Sequence, residues 1–369
     1  MIESAKKRVL VAMSGGLDSS VAAILLKEQG YELVGVTMKV WDYESMGENA
    51  PESGCCNLDA INDARHIAVS MGFPHYVLDF RKPFDNIVIQ NFIEEYLKGR
   101  TPNPCVLCNT HIKWEALLDK ALELGCDYIA TGHYAQIREE NNRFVLSKGV
   151  DELKDQTYML WGLSQESLSK TLLPLGSYSK DKIREIAREA GFTKVANKRE
   201  SYDICFIPDN DYRSFLKKQR PEIENEIAGG NFVDTDGKIL GKHKGYPFYT
   251  VGQRKGLEIA LGTPAYVKHI DAETNTIVLA FKDELFSKKM VVKEYNLIKY
   301  PEIPNGLKAM VKIRYRDKGT LASVFQFQDR IEVVFDEAVS AIAPGQSAVA
   351  YDNNGDVLFG GLIETSYES

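Results

Sequence analysis

The stretch Arg8-Val-Leu-Val-Ala12-Met13-Ser14-Gly15-Gly16-Leu17-Asp18-Ser19-Ser20 opens on an apolar run, breaks at two glycines, and continues into an apolar-faced segment. Arg8 to Met13 reads as a short buried strand, and Ser19 to Gln29 as a helix stopped by Gly30. Glycines at this junction let the chain turn tightly and bring amide groups close to an anion. The helix start behind them adds unsatisfied N–H groups and a positive dipole end. Ser14, Ser19 and Ser20 offer hydroxyls, and Asp18 is placed to hold Mg²⁺ against phosphates. The loop has neither the lysine of a Walker A motif nor the spacing of a dinucleotide fingerprint. An isolated Ser-Gly-Gly is more often a simple turn with Asp18 or Ser19 as N-cap. Set between a strand and a helix, this one reads as a phosphate cradle.

Outward from the loop, Tyr31–Val40 is a second apolar strand, and a helix from Leu58 to Met71, ended by Gly72, leads to a third strand, His75–Phe80. A helix over Ile112–Leu124 ends at Gly125, the strand Asp127–Thr131 follows, and Ser179–Ala190 is a further helix stopped by Gly191. Alternation of this kind predicts a Rossmann-like α/β domain, a parallel sheet covered by helices, over residues 1–207. After Pro208 the character changes. Asp236-Gly237 signals a hairpin, and a small central domain is expected over 208–275. Short alternating segments at Thr276–Phe281, Met290–Tyr295, Leu307–Tyr315, Leu321–Phe327, Arg330–Phe335, Ser347–Tyr351 and Val357–Ile363, with Asn354-Gly355 between the last two, predict an antiparallel barrel over 276–369.

Composition is that of an ordinary globular chain, 44% apolar and 26% charged over 369 residues, long enough for two or three cores. No apolar run is long enough to span a membrane, and Met1 to Arg8 leads into a strand and not a secretory signal, so a cytoplasmic protein is expected. The formal net charge of −7 argues against a nucleic-acid partner, but its distribution does not. Lys238–Lys268 holds six Lys/Arg against one acid, and Lys282–Lys318 ten against five. Such runs are often only solvated faces, so they permit RNA binding without requiring it.

Six cysteines in a chain of this size do not form a secreted disulfide framework. Cys105 and Cys108 stand in Thr101-Pro-Asn103-Pro104-Cys105-Val-Leu-Cys108-Asn109, where prolines stiffen the approach to a helix start that could favour thiolate. Cys205 lies far away in Ser201-Tyr-Asp-Ile-Cys205-Phe-Ile-Pro208. The Cys-x-x-Cys pair alone is compatible with half a zinc site, a redox pair or part of an iron–sulfur site. No second pair with zinc spacing accompanies it, since Cys55 and Cys56 are adjacent, and Cys126 reads as a core residue. His133, in Thr131-Gly132-His133-Tyr134 at a strand end, sits where ligands collect on such sheets, whereas Trp41, Trp114 and Trp161 read as packing.

The loop resembles that of the ATP pyrophosphatases, which cleave ATP between its α- and β-phosphates. The series SGGLDSS, GRTPNPCVLCN, ATGHYA, KDQTYMLW, ICFIP, YTVGQRKGL and APGQ, in that order over nearly the whole chain, resembles the tRNA-specific 2-thiouridylases. The resemblance implies conversion of the C2 oxygen of the wobble uridine of tRNA to sulfur, using ATP, Mg²⁺ and a sulfur carrier or cysteine desulfurase, by a monomer. It implies that Ala12, Met13, Ser14, Gly15, Gly16, Leu17, Asp18 and Ser19 hold ATP, with Met38 at the adenine and Gly132 completing the pocket. Cys108 would be the nucleophile and Cys205 the persulfide carrier, with Asn103, Pro104 and Cys105 facing the target base. His133, Lys154, Asp155, Gln156, Arg314, Tyr315 and Gln346 would meet tRNA, although Arg314 and Tyr315, adjacent on a strand, would face opposite ways.

Two departures stand out. Many members of that family carry Asp at the position of Cys105, and a thiol does not replace a carboxylate as acid or base. Tyr202-Asp203 replaces a common small Thr-Gly before Ile-Cys. The Cys-x-x-Cys variant opens a second route, in which Cys105, Cys108 and Cys205 ligate a [4Fe–4S] cluster whose fourth iron holds sulfide. Another ATP pyrophosphatase acting on tRNA, or a non-catalytic RNA-binding module with structural zinc, are the competing readings.

Overall fold

The computed structural model describes residues 6–41, 58–198, 204–207 and 210–367, so Cys55, Cys56, Tyr202 and Asp203 lie outside the described residues. Contacts divide the chain into two compact units, one of Met1–Val88, Cys105–Asn210 and Asn354–Val357, the other of Ile89–Pro104, Asp211–Asn353 and Leu358–Ser369.

The first unit is built on β1 (Arg8–Ala12), whose Val9, Leu10 and Val11 are fully buried. Such burial follows from its place in the middle of a parallel sheet, where both faces are covered. After β1 come α1 (Leu17–Glu28), β2 (Glu32–Lys39), α2 (Leu58–Ser70) and β3 (His75–Asp79). Next are α3 (Arg81–Phe84), a π-helical turn at Asp85–Ile89, and α4 (Gln90–Leu97), which passes into the second unit. Then α5 (Pro104–Leu107), a π-helical stretch Cys108–Ala116 and α6 (Leu117–Glu123) precede β4 (Tyr128–Ala130). A hairpin of β5 (Ala135–Glu140) and β6 (Arg143–Lys148), then α7 (Gln165–Ser169), β7 (Thr171–Leu172), α8 (Lys180–Glu189) and α9 (Thr193–Ala196) complete it. The sheet runs β3-β2-β1-β4-β7, all parallel. Successive strands leave β1 in opposite directions, which opens a crevice beyond the carboxyl ends of β1 and β4, where such sheets bind ligands. Val9, Val11, Val21, Leu25, Ile67, Ile183 and Ala187 share one core, so α1, α2 and α8 pack on the sheet through their apolar stripes.

In the second unit, β8 (Asn231–Val233), β9 (Ile239–Lys242), β10 (Tyr266–Asp271) and β11 (Thr276–Ala280) form a sheet of order β10-β11-β8-β9. A closed six-stranded barrel follows, built from β12 (Phe286–Leu297), β13 (Leu307–Lys312), β14 (Thr320–Gln326), β15 (Ile331–Ser340), β16 (Ser347–Tyr351) and β17 (Val357–Tyr367). Strand β12 pairs antiparallel with both β15 and β17, which removes the free edge. Val311, Val324, Ile331, Val333, Ala350 and Phe359 fill its interior.

Several expectations need correction. Thr276–Ala280 is not a barrel strand; it pairs with β10 and β8 in the central sheet. Alternation identifies a strand but not its partner, which is a long-range choice. The helix expected at Ile112–Leu124 starts at Pro104, because proline lacks only an N–H that a first turn leaves unpaired anyway. Helices over Arg81–Phe84 and Gln90–Leu97 were not among the expected elements; Pro83 is accommodated in the first turn, where its missing N–H costs nothing. The β5–β6 hairpin was missed as well; Asn141 and Asn142 turn it with φ of 51° and 60°, as a type I′ turn demands. Strand β13 ends at Lys312, so Arg314 and Tyr315 lie in a turn and the opposite-faces argument does not apply to them. Asp317 makes that turn by accepting from the amides of Ile313 and Gly319.

Candidate active site

At the carboxyl end of β1 the chain leaves the sheet through Met13, whose amide still donates to the carbonyl of Val36. Thr37 then donates to the Met13 carbonyl at 2.7 Å and is itself 2.9 Å from His75 Nε2, so three strands fix the base of the loop. Gly15 takes φ of +68°, and a Cβ there would fall 2.0 Å from the carbonyl oxygen of Ala60 on α2; only glycine fits. Inside the loop, Ser19 Oγ accepts from the Ser14 amide at 3.1 Å and Ser20 Oγ donates to the Gly16 carbonyl at 2.7 Å. The amides of Gly15, Leu17, Asp18 and Ser19 donate to no acceptor among the described residues. Leu17, Asp18 and Ser19 open α1, and free N–H groups in a first helical turn, with that of Gly15 in the loop before it, suit an anion. Gly132, just past β4, closes one side: its Cβ would lie 2.7 Å from both the Asp18 carbonyl carbon and the Ser19 nitrogen. Met38 is half-buried near the end of β2, in register with Leu78 of β3.

The charges around this loop were not all foreseen. Lys180, at the start of α8 and with a side chain only 10% exposed, donates to both Asp18 oxygens at 2.7 and 2.9 Å. Tyr134 donates its hydroxyl to Asp18 at 2.8 Å. Lys198 donates to the Gly15 carbonyl at 2.8 Å and pairs with Asp63 on α2 at 2.5 Å. Burial works against ionisation of Asp63, but hydrogen bonds from Lys194 and Lys198 outweigh it and hold the carboxyl below its usual range. The loop therefore borrows cations from more than 150 residues downstream, counted by the separation of 162 between Asp18 and Lys180. One signal was available in the sequence: a lysine in the first turn of a helix opposes the dipole and calls for a partner.

Of the thiols, Cys105 and Cys205 are exposed and Cys108 is half-buried at the start of the π-helical stretch. Solvent reaches the Cys105 side chain, yet protein atoms surround it densely at longer range. That desolvation pushes its thiol up to about 11, with the Cys108 sulfur adding to the rise and Lys113 opposing it. Lys113 reaches Asn109 Oδ1 at 2.9 Å, and Asn109 is tied in turn to the Met159 carbonyl. Next to Cys205, Phe206 is buried against Phe84 and Trp41 at centroid distances of 5.7 and 6.3 Å, an aromatic anchor for an exposed sulfur. Cys126 is buried, Trp114 donates to Thr171 in the core, and Trp161 is buried, in line with packing roles.

Other expected contact residues have internal bonds. Asp155 is buried and accepts from the Thr157 hydroxyl at 2.8 Å. Gln156 exchanges hydrogen bonds with the Tyr134 backbone, both at 3.0 Å, and Lys154 is half-buried in the turn before it. His133 is half-buried beside Trp114 and 2.7 Å from Thr131 Oγ1; burial, then the Lys113 charge, pushes its imidazole well below the ordinary value. Gln346 lies in the second unit, bonded to the carbonyls of Thr101 and Pro102, and Asn103 reaches Ser347 at 3.4 Å. Pro104 begins α5, and Arg314 donates to the Ser340 carbonyl while Tyr315 is exposed. Among the described residues, no group of three or more His, Cys, Asp or Glu is gathered as a metal site. Asp18, beside the amide cradle, is the carboxylate that would hold a magnesium ion, and here both of its oxygens accept from Lys180.

Three family models match the chain in sequence: a tRNA methyl transferase HUP domain over residues 7–209, a tRNA methyl transferase PRC-barrel domain over 213–280, and an aminomethyltransferase beta-barrel domain over 287–363. A relative from Cytophaga hutchinsonii, named tRNA-specific 2-thiouridylase MnmA, is 57% identical over 366 residues, covering 99% of each chain. The chain belongs to the tRNA-specific 2-thiouridylase family. A second member, from Amoebophilus asiaticus, is 58% identical over 98% of this chain and 96% of its own. Among solved structures, a 4-thiouridine synthetase–RNA complex with bound ATP shows a slight likeness, TM-score 0.35 at 18% identity, over 58% of this chain and 51% of that one. No described helix of this 2-thiouridylase family member is long and apolar enough to cross a membrane.

Proposed function

We propose that this protein is a tRNA sulfurtransferase that adenylates the C2 oxygen of a wobble uridine and replaces it with sulfur carried on cysteine. The observation that carries the reading is the row of amides at Gly15, Leu17, Asp18 and Ser19 that meet no acceptor among the described residues, in a chain that aligns over 99% of its length with a thiouridylase. A base inside a stacked anticodon is out of reach, so the uridine is first turned out of the stack. Its C2 oxygen attacks the α-phosphorus of ATP and pyrophosphate leaves, which converts a poor leaving group into AMP. The loop amides stabilise charge on the departing pyrophosphate; Asp18 would hold Mg²⁺, which when bound would supply further neutralisation.

The terminal sulfur of a Cys205 persulfide then attacks C2 and AMP departs. Cys108 thiolate attacks Cys205 Sγ, which releases the thiolated base and leaves a Cys108–Cys205 disulfide for an external thiol to reduce. In the variant of this route, Cys108 first frees sulfide from the persulfide, and sulfide attacks C2. A thiol pushed to about 11 keeps Cys105 protonated at neutral pH, so it acts as a hydrogen-bond donor near the base and not as a general base. The persulfide route needs two of the thiols to meet, whereas the cluster route needs all three, Cys105, Cys108 and Cys205, around one cluster.

The test separates adenylation from sulfur transfer. Cys108→Ser and Cys205→Ser proteins should still release pyrophosphate in a tRNA-dependent manner while making no 2-thiouridine. Thiolation by either variant removes that cysteine's role; pyrophosphate release that ignores tRNA removes the adenylation step. Iron and acid-labile sulfide in anaerobically purified, active protein would favour the cluster route.

A further inference from the structure

The phosphate loop holds most of its own peptide planes. Ser19 Oγ accepts from the Ser14 amide, and the Gly16 carbonyl accepts from the Ser20 hydroxyl at 2.7 Å and the Ser20 amide at 3.3 Å. The plane between Gly15 and Gly16 is held differently. Among the described residues its carbonyl accepts from no group of the loop; the donor is Lys198 Nζ at 2.8 Å, 183 residues downstream. With glycine on both sides, no Cβ resists rotation of this plane, so it is the peptide of the loop that turns over most readily. Lys198 has a firm base from which to hold it. Its own amide donates to the Val195 carbonyl at 3.1 Å, Arg184 donates to the Ala196 carbonyl at 2.5 Å, and Val195 and Ala196 are buried in the sheet core. While donating to Gly15, the Lys198 ammonium pairs with Asp63, whose side chain is 13% exposed. Asp63 stands three residues after Ala60 on α2, on the same face, and the Ala60 carbonyl is the atom that crowds Gly15. That face of α2 therefore meets Gly15 twice, once by direct contact and once through Lys198. All these groups belong to the same compact unit.

In a trans peptide the carbonyl of one residue and the N–H of the next point to opposite sides. Holding the Gly15 oxygen on Lys198 therefore holds the Gly16 N–H on the other side of the plane, where it meets Ser14 Oγ at a long 3.4 Å. That serine contact is too weak to fix the plane by itself. The reverse orientation would set a carbonyl oxygen among the loop's donors, where it repels an anion. We propose that Lys198 is a positioning residue for the nucleotide: it keeps the Gly15–Gly16 peptide turned so that the loop offers N–H groups, and no carbonyl, to the phosphates of ATP. The inference rests on the reading of this loop as the ATP site.

The experiment measures ATP and adenosine binding by calorimetry in wild type, Lys198→Met, Lys198→Arg and Asp63→Ala. When only a fraction of molecules holds the competent loop, apparent affinity falls by that fraction. Lys198→Met keeps the length of the side chain and loses its donor and charge. It should bind ATP at least about tenfold more weakly and adenosine within about twofold of wild type. Lys198→Arg restores a charged donor and should recover ATP binding to within about threefold of wild type. Asp63→Ala separates a grip on the loop from a direct charge contact with phosphate. Released from its carboxylate, a lysine that met phosphate itself would bind ATP more tightly. A lysine aimed at Gly15 by Asp63 loses its aim, and ATP should bind at least about threefold more weakly. The proposal is overturned by unchanged ATP affinity in Lys198→Met, by an equal loss of adenosine, by no recovery in Lys198→Arg, or by Asp63→Ala binding ATP as well as wild type or better. If wild type itself binds no ATP, it is the reading of the loop that falls.

Discussion

Asp18 carries a single negative charge at the mouth of the phosphate loop, and its two partners differ in kind. Tyr134 supplies a neutral hydrogen bond, whereas Lys180 supplies a charge whose side chain is only 10% exposed. Asp18→Asn keeps the shape and strands that ammonium. A fully exposed pair is worth about 0–1 kcal/mol, and breaking a buried one costs about 3–5 kcal/mol. With the Asp18 side chain 36% exposed, a loss of about 1–2 kcal/mol is expected, read as a lower denaturant midpoint at unchanged slope. A variant as stable as wild type would mean the ion pair contributes nothing net.

Cys105 allows a pH prediction with a definite sign. Its thiol is raised from an ordinary 9.0 to about 11, so the proton is held more tightly and the reactive thiolate appears later. In a Cys108→Ser background, the rate of Cys105 alkylation by iodoacetamide should still be climbing at pH 10. A rate already half-maximal near pH 9 would show that desolvation does not govern this sulfur.

Between elements, the decisive approach is that of the β4 end to the start of α1. Gly132→Ala would drive a methyl group against the Asp18–Ser19 peptide, at the amides proposed to hold the nucleotide phosphates. Nucleotide affinity should drop at least tenfold (about 1.4 kcal/mol) by calorimetry, with little change for adenosine, which has no phosphate. Equal weakening of both ligands would point to a general collapse of the pocket instead.

At this scale the sequence was legible where signals are local. The Gly30, Gly72, Gly125 and Gly191 helix ends all adopt positive φ, and the β1–loop–α1 unit was read to within a residue or two. It was illegible where partners are distant. No local pattern pairs Lys180 with Asp18, joins β11 to the central sheet, or turns the helix after Cys108 into a π-helical stretch.

Over the whole molecule, a formal charge of −7 coexists with basic segments at Lys238–Lys268 and Lys282–Lys318. If tRNA binds through these, each phosphate neutralised releases counterions, and affinity should fall steadily as salt rises. A plot of log affinity against log salt should be linear with a slope of several units; a flat line would exclude the basic segments as the contact. Each compact unit keeps its own core, the sheet core around Val9 and Val21 and the barrel core around Val311 and Phe359.

The most direct measurement is product analysis. The purified protein is incubated with ATP, Mg²⁺, a persulfide-forming sulfur source and unmodified tRNA, after which the tRNA is digested and its nucleosides separated. The account predicts 2-thiouridine at the wobble position, with one AMP and one pyrophosphate formed for each sulfur inserted. Unmodified uridine at that position, or ATP cleaved to ADP and phosphate, would contradict it.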